Sequence, residues 1–288
     1  MARALPRIYG TYLTSGRVLV LFVLVLLVFI ATVIAIGSIR DEKERESAGI
    51  LAGVIPFAVL IFLLGFSSWA NYNTIVNTPT SRPGGVAAGF VEVYGEAAPK
   101  GEYLKSPFGG EECAFYRYRV SEVEGIGLYL NGDSGNFLVR DITGAVEVDP
   151  YGAEFDTSGW RSFHVKEKEK IPSRISHFIE EVRRDYWWSP SSAVFKGKDM
   201  MYQEYFIKKG EKVFVTGTAV PWYDLSSGKY VPKIIIKRGK DNGFFYISKK
   251  EERDVLRDMR NQAMLFISGG GLATIVGVWY ILLKLKVL

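Results

Sequence analysis

Three long apolar stretches interrupt an otherwise polar chain. They are Val18–Ile36, Gly49–Trp69 and Ala263–Leu283, and none of them contains a charged residue. A helix needs about 20 apolar residues to cross the hydrocarbon core of a bilayer. The pattern therefore predicts three membrane-spanning helices. The alternative for the first stretch is a secretory signal peptide, but its apolar region is shorter and ends at a small-residue cleavage site.

The residues around these stretches predict how the helices connect. Seven consecutive charged residues, Arg40 to Glu46, separate the first two stretches and predict a helical hairpin with a short polar loop. Ser248 and Glu251 have the spacing of a capping box, which predicts a polar helix running from Lys249 into the third stretch. Small residues recur every four positions in that stretch and predict close helix packing; they are Gly269, Ala273 and Gly277.

Short alternating runs bounded by turn residues fill the region between the second and third stretches. The runs that read as strands are 89–94, 113–120, 137–141, 146–149, 212–217, 230–237 and 244–247. Such runs predict a small antiparallel barrel or sandwich. An apolar stripe at helical spacing, Ile175 to Val182, predicts one helix inside an insertion at about 150–205. The chain thus divides into a two-span hairpin (1–70), a linker (71–84), a β-rich domain (85–247) and a helix continuing into the last span (248–288).

Charge and cysteine content exclude several function classes. The net charge is +5, but residues 71–262 hold 28 basic and 27 acidic residues, a net charge of +1, so nucleic-acid binding is not expected. One cysteine cannot form a disulfide within the chain, and one cysteine with two histidines supplies too few ligands for a zinc site of Cys and His. No metal and no cofactor is predicted.

Basic residues near the span ends predict the orientation. Nine lie on the side shared by the N-terminal tail and the β-rich domain, and five lie on the other side. This excess predicts a multi-pass protein of the cell membrane with its β-rich domain in the cytoplasm.

Few residues suggest catalytic chemistry. Cys113 is either a reactive thiol or a buried strand cysteine, and an aromatic strand without an evident basic partner favours the second reading. His164 and His177 have no spacing that pairs them with an acid, which favours structural or surface roles. Asp141 to Gly144 reads as a hairpin turn. Glu204 is expected to need an ion-pair partner if buried, with Arg117, Arg119 and Arg140 as candidates.

Four ordered blocks carry a resemblance to a known family. They are Leu104–Pro107 with Cys113–Tyr118, Phe137–Pro150, Tyr202–Gly217 and Phe245–Ser248. In this order, beside apolar stretches, they resemble the GIDE or beside-a-membrane domain of the ubiquitin ligase MULAN and of prokaryotic membrane proteins. The second and third blocks are also similar to the strand pairs of OB-type barrels. The expected fold class is therefore α-helical membrane spans, three in number, plus an OB-like barrel with a helical insertion.

The resemblance implies a function and a set of structural positions. In the ligases, catalysis belongs to a C-terminal RING, and this chain has too few zinc ligands for one. The expectation is a membrane-side module that recognises or scaffolds partner membrane proteins or itself, without catalysis of its own. The alternative is a component of a modifier-conjugation pathway that depends on a partner for catalysis. The expected structural family positions are Cys113, Asp141, Gly144, Glu204 and Gly217.

A third possibility concerns the lipid surface. Tyr186, Trp187 and Trp188 follow the helix of the insertion, and adjacent aromatic residues beside a membrane can enter the headgroup layer. They are the candidate residues for an interaction or membrane contact, with burial against the barrel as the other reading.

Overall fold

The computed structural model describes residues 7–8, 15–102, 104–124, 128–186, 189–224, 231–240 and 243–285. The chain forms two compact units. The β unit comprises residues 1–10 and 78–252, and the helical unit comprises residues 11–77 and 253–288.

Five helices and fifteen strands occur in the described residues. The helices are α1 Ser15–Gly37, α2 Glu42–Ala48, α3 Leu51–Val76, α4 Ser173–Asp185 and α5 Glu252–Lys284. The strands are β1 Arg7–Ile8, β2 Thr80–Ser81, β3 Gly89–Pro99, β4 Leu104–Lys105, β5 Glu112–Cys113, β6 Phe115–Glu122, β7 Leu128–Asp133, β8 Phe137–Asp141, β9 Gly144–Val148, β10 Glu154–Phe155, β11 Trp160–Val165, β12 Met200–Ile207, β13 Lys212–Asp224, β14 Val231–Lys237 and β15 Tyr246–Ser248.

In the part of the chain that the structure describes, two helical segments are long and apolar enough to cross a membrane. They are Glu42–Val76, which comprises α2, α3 and the residues between them, and Glu252–Lys284, which is α5. The first predicted span, Val18–Ile36, is helical as part of α1, but its described apolar part is Val23–Gly37. The described residues therefore hold two candidate spans, where the sequence predicts three.

Helix boundaries differ from the sequence prediction at two places. The predicted linker begins at Asn71, yet α3 continues to Val76 because Asn71–Val76 contains no glycine or proline to end the helix. The polar helix does run without a break into the last apolar stretch, but it begins at Glu252 rather than Lys249. The capping box does not form because Ser248 ends β15, where its hydroxyl donates to Asp156 at 3.1 Å.

Five strands of the β unit close into a barrel. The order β3–β8–β9–β14–β13 returns to β3 because β13 pairs along both β14 and β3. All neighbours are antiparallel except β9 and β14, which run parallel. The connectivity is loosely that of an OB barrel, a five-stranded, partly open Greek-key fold. The barrel predicted from the short alternating runs is thus present, with β10, β15 and β2 added outside the ring.

A second antiparallel sheet stands beside the barrel. Its order is β1–β7–β6–β12–β11, and the predicted insertion supplies β11, α4 and β12. The apolar stripe of α4 packs into a cluster with Phe108, Tyr118 and Tyr202. Phe115 of β6 and two residues of β12, Tyr205 and Ile207, pack instead in the barrel core, together with Val93 and Phe137. Because side chains along β6 and β12 point to alternate faces of this sheet, the two strands contribute residues both to the barrel core and to the cluster beneath α4.

Candidate functional site

A cleft opens in the barrel wall where two parallel strands part. The described pairing of β9 with β14 consists of Glu147 with Ile235 and Val148 with Ile236. Before these pairs the strands diverge, and the segment of the short 3₁₀ turn Pro83–Gly85 lies alongside the opening. The resulting cavity has a volume of about 370 Å³ and is lined by Pro83, Gly84, Val86, Leu138, Ala145, Val146, Glu147, Lys233 and Ile234.

Main-chain groups from both strands point into this cleft. The N–H of Asp149 donates to the carbonyl of Ile236 at 2.9 Å, which fixes the side to which these residues turn their backbone groups. Alternate residues of a strand turn their backbone groups to the same side. The N–H and C=O of Ala145 and the N–H of Ile234 therefore face the cleft. No described pairing of β9 with β14 uses them.

The cleft has an apolar floor and a polar rim. Val146 belongs to the barrel core, and Val86 and Ile234 pack against that core. On the rim, the Glu147 carboxylate accepts from the Lys100 ammonium at 2.6 Å and also from the Asn136 amide. Lys233 contributes an exposed ammonium side chain, so the lining and its bonded lysine together carry one carboxylate and two cations.

A tight hairpin turn positions one wall of the cleft. Asp141 accepts hydrogen bonds from the N–H and hydroxyl of Thr143, and Gly144 adopts a φ of +149°, which is strained for other residues. The N–H of Gly84 donates to the Thr143 hydroxyl at 3.1 Å, and a Cβ at Gly84 would lie 2.1 Å from the Thr143 carbonyl oxygen. The predicted turn is confirmed, and Gly144 of the turn together with Gly84 allows the 83–86 segment to approach.

The comparison with protein families identifies the chain. A family model named GIDE, described as E3 ubiquitin ligase, matches residues 128–281, just over half of the sequence. The chain belongs to the GIDE family. The comparisons with curated proteins and with solved structures give no match. The GIDE match runs from β7 into α5, so it includes the strands β8, β9 and β14 that form the cleft.

Within the GIDE region, Glu204 anchors a loop rather than forming the predicted ion pair. Its carboxylate is fully buried and accepts from the N–H of Phe108 at 2.8 Å and the N–H of Gly109 at 3.1 Å. The Ser106 hydroxyl adds a contact at 3.3 Å. The nearest described cation is Arg161 at 3.7 Å, which replaces the predicted Arg117, Arg119 and Arg140.

The predicted arginines have other partners, which explains that correction. Arg117 is buried and donates to the carbonyls of Pro150 and Ala153 and to the Asp133 carboxylate. Arg119 lies over the Trp160 ring, and Arg140 is 4.0 Å from Glu96. Because residue 204 lies opposite Arg161 in the β11–β12 register, that pairing depends on a strand that the alternation pattern did not reveal.

Two further residues predicted as structural positions, Gly217 and Cys113, are packed in the β unit. Gly217 lies on β13, where a Cβ would come within 2.6 Å of the Phe245 ring of the barrel core. Cys113 is fully buried, and burial raises the pKa of its thiol to about 12.

His164 and His177 are both exposed. Among the described residues, no group of three or more His, Cys, Asp or Glu side chains is arranged to hold a metal ion.

Tyr186 is the only residue of the predicted aromatic contact that the structure describes. It is partly buried and packs against the cluster beneath α4. Trp187 and Trp188 lie outside the described residues, so the lipid contact stays a prediction.

The close contact between α3 and α5 uses Gly277 of the predicted set, but Gly270 rather than Gly269 and Ala273. A Cβ at Gly270 would lie 2.6 Å from the Phe62 nitrogen, and one at Gly277 would lie 2.7 Å from the Ile55 side chain. Gly269 and Ala273 are exposed instead. Gly270 and Gly277 are two helical turns apart and share a face, whereas Gly269 is rotated away from that face by about 100°.

Sequence reasoning missed the cleft and two buried carboxylates of the β unit. Asp156 accepts from Tyr205, Ser248 and the N–H of Lys249; burial opposes its ionisation, but these donors and Ser158 lower its pKa. Glu92 is buried on β3, and its pKa is raised to about 7, chiefly by burial and further by Glu252. The cleft depends on a parallel pairing between strands more than 80 residues apart, for which no local pattern exists.

Proposed function

We propose that this GIDE protein is an integral membrane protein whose β unit recognises or scaffolds partner proteins at the membrane surface. The observation that carries the proposal is the cleft between β9 and β14. It combines an apolar floor, main-chain groups that face the cavity, and charged residues at its rim. These are the features of a recognition site. The two long apolar helices, α3 with α2 and α5, support membrane insertion.

The same proposal holds that the chain does no chemistry of its own. The Cys113 thiol is buried and its raised pKa keeps it neutral, which disfavours a nucleophilic role. The two histidines lie exposed on separate elements, β11 and α4. These placements support a binding module rather than a catalyst.

Cross-linking of the full-length protein in its native membranes tests this proposal. The protein is purified after cross-linking, and its neighbours are identified by mass spectrometry. Enrichment of particular membrane proteins, or of further copies of this chain, is the expected result. Turnover of a substrate by the purified chain alone, abolished by alanine at a residue of the β unit, contradicts the proposal.

A second candidate function follows from the family description. GIDE proteins are described as E3 ubiquitin ligases. In this alternative the chain is the membrane receptor of a modifier-conjugation pathway and a partner supplies the catalysis. Modifier proteins or conjugating enzymes among the cross-linked neighbours favour this function, and their absence beside other reproducible neighbours favours the scaffold.

We place the β unit on the cytoplasmic side of a cell membrane. The excess of basic residues near the span ends on the side of the β unit supports this orientation.

The bilayer itself is a further proposed partner, through Tyr186, Trp187 and Trp188. Loss of liposome binding on Trp187→Ala plus Trp188→Ala supports this contact, and unchanged binding contradicts it.

A further inference from the structure

Strand β11 forms an open edge of the second antiparallel sheet. It is the last strand in the order β1–β7–β6–β12–β11 and pairs with β12 on one side only. The pairing runs without an irregularity from Trp160 with Tyr205 to Val165 with Met200. Among the described residues, no main-chain hydrogen-bond partner lies on the other side of β11. The sheet therefore ends in a regular strand six residues long.

Alternate residues of β11 turn their main-chain groups to this open edge. The N–H of Val123 donates to the Asp199 carbonyl at 2.9 Å and continues the register of β6 with β12. Because bonded positions alternate along an antiparallel pair, odd-numbered residues of β12 face β6 and even-numbered residues face β11. Those even-numbered residues pair with odd-numbered residues of β11. The N–H and C=O groups of Trp160, Ser162 and His164 therefore point outward.

Strand β11 lacks the features that usually protect a free edge from pairing. Natural edge strands are commonly very short, or they carry a proline, a bulge or free charged side chains. β11 contains no proline and no break in its register. Its arginine, Arg161, forms an ion pair with Glu111 and lies 3.7 Å from Glu204. Ser162 and His164 are exposed beside the edge, which indicates that a further strand has room to pair there.

The sequence of β11 is self-complementary in one antiparallel register. With a two-fold axis at Ser162, this residue lies opposite its own copy and Trp160 lies opposite His164 of the second copy. Every outward N–H and C=O of these residues then has a partner across the axis. On the other face of the sheet, Arg161 lies opposite Phe163, so no like charges are directly opposed. An aromatic residue opposite histidine adds a favourable cross-strand pair.

We propose that β11 pairs in antiparallel orientation with β11 of a second copy of this chain, about a two-fold axis at Ser162. The two five-stranded sheets then form one continuous sheet across the dimer. This is strand addition, in which main-chain hydrogen bonds provide the affinity and the side chains fix the register. The proposal rests on the proposed recognition function, because it names a second copy as a partner that the β unit recognises.

Disulfide cross-linking of the full-length chain in its native membranes tests this pairing. Ser162→Cys places two thiols opposite each other at the axis, where the Cα atoms of a bonded antiparallel pair are about 5.5 Å apart, within the range of a disulfide. His164→Cys is the matched control on the same exposed face, but its two copies lie about 13 Å apart along the strands. The native Cys113 is buried. Under mild oxidation, we expect a disulfide-linked dimer for Ser162→Cys alone.

A proline at the same position tests the main-chain hydrogen bonds. Because the N–H of Ser162 faces the open edge, Ser162→Pro removes no hydrogen bond between β11 and β12. It removes both hydrogen bonds at the axis, so we expect association to weaken about tenfold or more. Energy transfer between labelled full-length chains in liposomes measures this loss. Ser162→Ala keeps the N–H and is expected to associate like wild type.

Three results would overturn the proposal. They are equal cross-linking of the two cysteine variants, no dimer with either of them, and cross-linking of Ser162→Cys to a different protein. Unchanged association of Ser162→Pro also contradicts the strand pairing. Specific neighbours found by cross-linking of wild type in its membranes would then leave the recognition function standing without this interface.

Discussion

Two buried carboxylates of the β unit differ in how their oxygen atoms are hydrogen-bonded. Glu204 accepts hydrogen bonds from the main-chain N–H groups of Phe108 and Gly109 in the 106–111 loop. Glu92 accepts a hydrogen bond from the Thr80 hydroxyl, and its Oε2 atom has no described hydrogen-bond partner. Both residues lie on strands of the β unit, so the difference arises from the donors that each environment supplies.

Glu204→Ala is expected to destabilise the 106–111 loop. Removing the carboxylate leaves the N–H groups of Phe108 and Gly109 buried without an acceptor, at a cost of about 2–4 kcal/mol. Hydrogen exchange followed by mass spectrometry measures the effect as faster exchange at these amides. Gln203→Ala on the same strand, where the amide donates to the Ser162 hydroxyl, is the control. Equal protection in both variants contradicts the anchoring role.

Glu92→Gln is expected to remove a pH dependence from the stability of the β unit. Because the folded pKa of about 7 lies above the ordinary value of 4.5, the folded state holds its proton more tightly. The contribution of Glu92 to stability is therefore fully present below about pH 4.5, and roughly 3 kcal/mol of it is lost as pH rises through 7. Above pH 7 the glutamine variant becomes the more stable protein.

Thermal unfolding across this pH range checks the effect of Glu92. Glu96→Gln is the matched control, since it removes an exposed carboxyl from the same strand. The control is expected to retain the slope of wild type between pH 4.5 and 7. A Glu92→Gln variant with that same slope contradicts the raised pKa.

Among the helices and strands, the predictions that agree with the structure are those that rest on a local periodic pattern of apolar residues. The span of β8, Phe137–Asp141, and the apolar stripe of α4 agree with the structure because each follows a single alternating or helical pattern. The run 212–217 underestimates β13, which continues to Asp224 through Pro221. Strand β11 was missed because its polar face and mixed burial hide the alternation.

The cleft belongs to the part of the fold that local patterns cannot predict. Its wall strands β9 and β14 were both recognised as strands, but their parallel pairing and its early end depend on the closure of the whole barrel. The partners of Glu204 depend in the same way on the register of β11 against β12. Local patterns identify such strands, and tertiary packing decides which edges stay free.

The contact between α3 and α5 gives a prediction for neighbouring glycines. Gly270→Ala places a methyl group against the backbone of Ala58 and Phe62, which forces the helices apart and costs about 1–3 kcal/mol. Gly269→Ala makes the identical change where nothing lies within 4 Å. Unfolding of the full chain in mixed detergent micelles is expected to show a loss only for Gly270→Ala. Equal stability of the two variants contradicts the contact.

The whole molecule connects a barrel to long apolar helices on both sides of its sequence. The main segment of the β unit, residues 78–252, begins just after α3 and ends where α5 begins, so each of its two ends is joined to one of these helices. If α3 and α5 both cross a membrane, these two ends lie on one face of the bilayer. The residues of α2 then lie on the opposite face.

Cysteine labelling tests this arrangement together with the proposed orientation. Glu46→Cys in α2 and Lys209→Cys in the β unit both introduce exposed thiols, while the native Cys113 is buried and serves as an unreactive background. A membrane-impermeant maleimide is expected to label Glu46→Cys in intact cells and Lys209→Cys only after permeabilisation. The reverse pattern overturns the cytoplasmic orientation but keeps the crossing of α3. Identical accessibility of the two sites contradicts the crossing itself, because a bilayer between them must give them different access.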